Sequence, residues 1–381
     1  LDSDWFVELE TEGSYNGIGS GGFSSFTGVL NIDPQYYSAN GQRINGRTDW
    51  TMPAHSWGRM YYSGTTSQGY NFGSHATSSW TVIATTDGAK GRATATGRGS
   101  FAAGGQANAT GGGSIVLGQM STASGTDSVA VGTDTTSSGY KSVAISSGGS
   151  SYGASGSYST AIGRNCKATA NDAVAIGDSC LAQANNAVAI GDGAICVASD
   201  GTNGVAIGNG AVVYQEQGMA FGKNANSDVK GKIVFSSHSN LGSFGDSQQG
   251  LFILKADTTG SSAEKLTTNN SSANLTNQIR VVNYGAVAFS GMVIARRQWS
   301  SGTGTEASAW KIEGLAKNEV GSGNVSIVSS TVTAISVANS NYAVAISADN
   351  TFANISITVT GAGSYNLKWV ANITTCETLY Q

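Results

Sequence analysis

Proline and charge are scarce in this sequence. Two prolines, Pro34 and Pro53, stand among 381 residues, and charged residues make up 12 %, about half the usual ~25 %. So little proline excludes collagen, whose triple helix needs it alongside glycine at every third position. Few charges combined with 39 % hydrophobic residues exclude simple disorder, which belongs to charge-rich, hydrophobe-poor chains. The four cysteines, Cys166, Cys180, Cys196 and Cys376, form no CxxC pair, match no zinc spacing and are too few for a disulfide framework. No apolar run approaches the ~18 residues of a membrane helix. Arg296-Arg297 is the longest run of basic residues and the net charge is −4. Neither membrane insertion nor nucleic acid is expected.

Glycine is abundant instead: 53 of 381 residues, roughly double the ordinary ~7 %. With Ala, Ser, Thr, Asn, Val and Ile it points to short strands joined by tight turns. Much of it lies in one internal repeat. Ser100-Phe101-Ala102-Ala103-Gly104 returns as Ser114-Ile115-Val116-Leu117-Gly118 and Ser128-Val129-Ala130-Val131-Gly132, then as Ser142-Val143-Ala144-Ile145-Ser146. Further copies close at Gly163, Gly177, Gly191, Gly208 and Gly222. The period is 14, with three-residue insertions at 147–158 and 195–203 that should bulge as loops. Small-residue half-repeats such as Ala107-Asn108-Ala109-Thr110-Gly111 lie between the copies, seven residues out of step. Each unit therefore reads as two strands and two turns, with Gly or Asn where φ must be positive.

The period of two puts Val174 and Ile176 on one face and Ala173 and Ala175 on the other, and likewise Val188 and Ile190. Stacked coils pair each backbone group with the coil above and below and are expected to bury a continuous aliphatic ladder. Nine coils at about 4.8 Å make a rod of roughly 40 Å. So thin a rod encloses little core, so lateral association of several chains is expected, three being the natural number for a rotationally symmetric rod.

The SVAIG-type copies and their AxAxG halves resemble the left-handed parallel β-roll of trimeric autotransporter adhesin heads, a module also carried by some bacteriophage fibres. The resemblance covers 91–225 and implies a trimer of β-rolls forming a stiff stalk or head. Ser146, where the pattern has glycine, puts only local regularity in question.

The flanks differ. Residues 1–90 hold 14 of the 32 aromatics, among them Trp5, Trp50, Trp57 and Trp80. Apolar runs at 26–32 and 80–84 read as a loop-rich β-domain. Its aromatics suit glycan stacking, and equally the core or trimer interface of a small domain short of Leu. From 226 the period is lost. Strand-like stretches follow at 232–235, 251–255, 278–282, 287–296, 309–313, 325–328, 342–347, 355–360 and 367–373, an antiparallel β-sandwich pattern. Gly245-Asp246-Ser247-Gln248, Val293-Ile294-Ala295-Arg296-Arg297, Ala309-Trp310-Lys311-Ile312-Glu313-Gly314 and Leu367-Lys368-Trp369-Val370-Ala371 resemble a C-terminal domain of phage tail-fibre and other virion proteins. That resemblance points to phage.

Catalytic constellations are sparse. His55, His75 and His238 lie far apart and none has a GxSxG context. Asp178 and Asp192 share a repeat position and would stack about 5 Å apart, as a carboxylate pair or as a solvated turn column touching a cation. Cys166 and Cys180 share another, three after Gly163 and Gly177; Cys196 is out of that register. Parallel in-register side chains point the same way, so small buried fillers are expected rather than a bridge. Arg296, Arg297, Trp299 and Ser300 end a strand and enter a polar loop at 300–305, a candidate receptor contact or simple strand-end packing.

The sequence thus predicts an all-β homotrimer: an N-terminal aromatic-rich β-domain (1–90), a left-handed parallel β-roll shaft (91–225) and a C-terminal antiparallel β-sandwich knob (226–381). The expected role is a non-enzymatic bacteriophage virion fibre that binds the host surface through a polysaccharide or protein receptor. Its other expected partners are virion proteins of the tail or baseplate. No cofactor and no metal are expected. The alternatives are a fragment of a bacterial trimeric autotransporter adhesin, whose heptad coiled coil and β-barrel anchor are not found in these residues, and a tailspike that cleaves polysaccharide.

Overall fold

The computed structural model describes the backbone of seven strands before residue 93. From 93 on it describes all but residues 150, 199, 238–243, 299–305, 320–322, 364 and 380–381. Among the described residues there is no helix. The chain divides into two compact units, Leu1–Tyr152 and Gly153–Gln381, and the division falls inside the first three-residue insertion.

In the first unit, Trp5–Glu10 pairs antiparallel with Trp57–Tyr62, Tyr15–Gly19 with Gly22–Ser25, and Val29–Ile32 with Trp50–Pro53. Trp80–Val82 then joins Phe101–Ala103 in parallel and opens a stack of coils. One ladder continues through Ile115–Leu117, Val129–Thr133 and Val143–Ser147. The other runs from Thr94–Ala95 to Thr136–Ser137. From Phe101 on, each register step is 14 residues, as Ile115 opposite Val129 shows.

The second unit repeats the plan from Thr160–Arg164 to Met219–Phe221 and from Gly153–Ala154 to Asn226–Ser227. The second insertion leaves the ladders in register, Val188 facing Val205 and Ile195 facing Val212. Its extra residues fold over themselves, Gly201 N–H donating to Val197 O and Gly204 N–H to Gly201 O, both at 2.9 Å. The coils outlast the legible period: Ile233–Ser236 continues the ladder, with Met219 opposite Ile233.

Which face points inward differs from the sequence expectation. Ala102, Val116, Ala130 and Ala144 in the first unit, and Ala161, Ala175, Ala189, Ala206, Ala220 and Val234 in the second, are wholly buried. The larger neighbours are not. Ile115, Leu117, Ile145 and Ile207 are 37–44 % exposed, and Val174, Ile176, Val188 and Ile190 are only partly buried. A 14-residue coil has a lumen too narrow for two branched side chains per strand. Alanine fills it, and the aliphatic ladder looks outward.

Close stacking also dictates the glycines. Gly104, Gly118, Gly132, Gly163, Gly177, Gly191, Gly208 and Gly222 hold φ between 101° and 139°, outside the reach of other residues. A Cβ on Gly177 would enter the Gly191 carbonyl oxygen. In the fourth copy Ser146 fills this place and positive φ appears at Gly148 and Gly149. The turns are less selective than expected. Two positions per coil sit near φ 53–59°, and they accept Gln106, Met120, Lys141, Tyr158 and Gln217 as well as Asn. Left-handed backbone costs an L-residue about 1–2 kcal/mol. Several of these N–H groups donate to the preceding coil, Met120 to Gly105 O at 2.8 Å, Lys141 to Thr126 O and Gln217 to Thr202 O both at 2.9 Å, so the stack holds the conformation there.

Beyond the coils, Ile233–Ser236 pairs antiparallel with Ser247–Thr259. The sheet continues through Asn366–Leu379, Gly285–Arg297, Ala307–Asn318 and Val325–Ser336. These strands are 12–14 residues long, well beyond the expected spans. A smaller sheet centres on Asn354–Thr360, flanked by Ala343–Asp349 on one edge and by Ala263–Lys265 and Ile279–Arg280 on the other. Phe252, Val293, Ile312 and Ile373 of the large sheet share one buried core with Ile279, Ile355 and Ile357 of the small one. The C-terminal part is an antiparallel sandwich with a dry centre.

Candidate interaction surfaces

The roll carries a polar column along one edge of its outward face. Arg164, Asp178 and Asp192 stand in register on successive strands. Arg164 Nε donates to Asp178 Oδ2 at 2.9 Å, and Asn209 Nδ2 donates to Asp192 Oδ2 at 3.0 Å. The hydrogen bond from Arg164 holds the Asp178 carboxyl below the usual range. Arg164 is thus the cation of this surface carboxylate ladder.

Inside the coils a second column closes the turns. Ser121 Oγ donates to Gly132 O at 2.8 Å, Thr135 Oγ1 to Ser146 O at 2.7 Å, Cys166 Sγ to Gly177 O at 3.1 Å and Cys180 Sγ to Gly191 O at 2.7 Å. The thiols stand where other coils use hydroxyls, and all four cysteines are free. Cys180 is held above the usual thiol range by its contact with Cys166 and by burial. Burial pushes Cys196, which lies in register with Ala182 and Val213, up to about 12. The raised, buried thiols of Cys180 and Cys196 are poor nucleophiles, while the hydrogen bond with Cys180 holds Cys166 lower, at about 7.

The last coil holds a charge cluster. Lys232 occupies the inner position that earlier coils give to Ser100, Ser128, Ala173 or Gly218, yet it is 2 % exposed. Its Nζ lies 3.0 Å from Asp228 Oδ1 and 2.7 Å from Glu377 Oε2. Glu377 also accepts from Gln248 Nε2 and Thr375 Oγ1, both at 2.7 Å. Arg280 NH1 stands 3.4 Å from Asp228 Oδ2. Burial alone would raise Asp228 and lower Lys232, but their mutual attraction outweighs it: Asp228 is held below and Lys232 above the usual value. Beside the cluster opens a cleft of about 640 Å³ lined by Tyr214, Asn226, Phe244, Arg280 and Asn283. The two rings are about half exposed. It offers aromatic faces and hydrogen-bonding groups to a small polar ligand. Sequence reasoning missed this cluster, since Glu377 lies 145 residues from Lys232. The one local signal was a lysine in a column of small residues.

The arginine pair is split by strand alternation. Arg297 turns to the core side, its guanidinium carbon 3.5 Å from the centre of the Tyr365 ring and its NH1 3.6 Å from Glu306 Oε1. Tyr342 donates to Glu306 Oε2 at 3.0 Å, and burial together with that bond pushes its phenol up to about 12. Beneath lie Trp310 and Trp369, stacked at 5.5 Å. Arg297 thus closes the end of the aromatic core. Arg296 is exposed on the other face. Trp299 and Ser300 lie outside the described residues, as do His55, His75 and His238. Among the described residues no group of three or more His, Cys, Asp or Glu could hold a metal ion.

Comparison with known proteins places a family model on the repeat. The YadA head domain repeat matches residues 95–121, 123–145, 154–179 and 199–225. No curated protein matches the chain. Three phage tailspikes are among its structural neighbours. The tailspike gp49 of Acinetobacter baumannii bacteriophage Fri1, a capsular polysaccharide depolymerase, is 6 % identical over 78 % of this chain and 44 % of its own, with a TM-score of 0.22. The tailspike of Acinetobacter phage vB_ApiP_P1 is 11 % identical over 74 % of this chain and 56 % of its own, at 0.20. That of Acinetobacter baumannii phage AM24 is 9 % identical over 81 % and 51 %, at 0.19. The chain spans about half the length of these tailspikes, and TM-scores near 0.2 are too low to make theirs the same fold. What this chain carries plainly is a set of YadA head repeats on a parallel β-solenoid of about ten turns.

Proposed function

We propose that this chain is one subunit of a homotrimeric fibre of a bacteriophage virion, projecting from the particle and binding the host surface without catalysis. In this reading 1–90 is an N-terminal β-domain, 91–225 the shaft and 226–381 the knob. The observation that carries it is the outward aliphatic ladder. A single roll leaves Ile115, Leu117, Ile145 and Ile207 partly in water, and contiguous exposed apolar faces mark association sites. Three copies about a common axis cover one another's ladders and leave the polar sides free. The YadA head repeats support an adhesive role. Trimerisation would present each weak receptor contact three times, raising avidity with no new contact. Arg296, with Trp299 and Ser300 just after it in sequence, is one proposed contact for a surface polysaccharide or protein; the Tyr214–Phe244 cleft is another.

Light scattering on the purified chain should give three times 38.6 kDa; a monomer overturns the reading. Release of oligosaccharide on incubation with purified bacterial capsules would overturn the non-enzymatic part alone and favour a tailspike. Antibodies to each terminus, viewed on intact particles by electron microscopy, would show whether the fibre belongs to the tail and which end is distal.

A further inference from the structure

The outward apolar face does not end with the coils. Residues directly opposite on antiparallel strands share a face, so register carries the roll's outer face into the large C-terminal sheet. Ile233 stands opposite Leu251, and Phe235 opposite Gln249. In the next rows Ile253, Asn372 and Met292 stand abreast, followed by Val370 beside Ile294. Ile253, Met292, Ile294 and Val370 are 42–49 % exposed, and Phe235 is 50 % exposed. Charged residues fringe this patch: Lys368 and Arg296 at its far end, Lys311 and Glu313 along one side, and Lys255, opposite Val370, along the other. An apolar centre with a charged rim is the anatomy of a protein interface. The opposite face of the same strands is already occupied by the sandwich core.

We propose that this outer face of the C-terminal sheet packs against further copies of the same chain, about the axis that joins the rolls. The inference rests on the trimer reading of the roll. It extends it by making the knob a joined part of the assembly rather than three free heads. A second copy is the occupant because the face is continuous across the parallel and the antiparallel part of one sheet. An unrelated partner would have to match both, whereas symmetry supplies the same continuous face from each copy.

Two native methionines read the outcome. Met292 lies in the patch at 47 % exposure, and Met120 lies on a roll turn at 44 %. In the intact chain treated with dilute peroxide, Met292 should oxidise about tenfold more slowly than a synthetic peptide of its own segment. Met120 should follow its own peptide closely. Ile294→Lys puts a charge in the patch without touching the core, and should bring Met292 to its peptide's rate while the mass remains that of a trimer. A trimer in which wild-type Met292 oxidises as fast as its peptide overturns the inference and leaves the trimer standing. A monomer overturns both. A protected Met292 that Ile294→Lys leaves protected assigns the protection to something other than this interface, and also overturns the inference.

Discussion

The roll and the C-terminal sandwich use the same alternation of large and small side chains and turn it in opposite directions. In the sandwich, Phe252, Ile312 and Ile373 point inward and fill a space between two sheets. In the roll, the space inside a coil admits Ala175 and Ala189, and the Val and Ile beside them face out. A sheet that meets a second sheet about 10 Å away can bury large residues; a coil closed on itself at 14 residues cannot. The sandwich can therefore hold together through its own core. The roll holds together through backbone pairing and glycine contacts, and keeps its larger apolar side chains on the outside.

The two architectures meet at Lys232, and removing it should have the largest effect. Lys232→Met leaves Asp228 and Glu377 buried without their shared cation, which typically costs about 3–5 kcal/mol. The pH dependence follows from the shifts. Lys232 is raised above its ordinary 10.5, so its contribution is complete below that pH and is lost as pH climbs through the folded value. Asp228 is depressed below 3.8, so its contribution is complete above 3.8 and lost as pH falls through the folded value. Wild-type stability should therefore be flat across neutral pH and fall at both extremes. In the variant the buried Asp228 keeps only Arg280 as its cation and takes up a proton more readily, so the deficit should narrow toward pH 4. Guanidinium unfolding at several pH values measures this, and a deficit independent of pH would remove the cluster from the account.

Glycine within the roll sets the next scale. Gly177→Ala must accommodate both φ 134° and a Cβ driven into the next coil's carbonyl. Strain of that kind costs about 1–3 kcal/mol for the backbone, and overpacking adds a similar amount. Gly112→Ala has neither difficulty, its nearest neighbours being 3.8 Å and 3.9 Å away, and should fall within about 0.5 kcal/mol of wild type. Equal effects on melting temperature would show that glycine in the roll serves composition rather than contact.

Legibility in the sequence follows the same division. The repeat is local and copied, so its period, its strands and the closing glycines can be read from residues alone. Its polarity cannot. Alternation says that Val174 and Ala175 face opposite ways, and only the volume of the closed coil says which is inside. In the C-terminal part all nine expected strand sites carry strands. Their length was not legible, because a strand grows as far as its partner pairs, as Ser247–Thr259 does along Asn366–Leu379. Neither Lys232–Glu377 nor Arg297–Tyr365 was legible, since each pair is made by chain closure across 68 residues or more. The Asp178–Asp192 column was visible as a spacing, and its cation, Arg164, stands one period earlier in the same position.

The smallest effect tests whether the roll's interior recognises a shape or a particular atom. Cys180→Ser should change stability by less than about 1 kcal/mol, because the hydroxyl can donate to Gly191 O as Ser121 does to Gly132 O. Cys180→Val removes the donor and is somewhat larger. It leaves the buried carbonyl of Gly191 without that bond and adds a branch beside Gly177, so it should cost about 1–3 kcal/mol. Alanine stands at this position in the next coils, as Ala194 and Ala211, wholly buried, so a donor is not required in every coil. If Cys180→Val proves as mild as Cys180→Ser, the column is selected for small volume alone. If only serine is mild, the hydrogen bonds from Ser121, Thr135, Cys166 and Cys180 contribute to holding successive coils together. That is a linkage the sandwich, with its apolar interior, does not need.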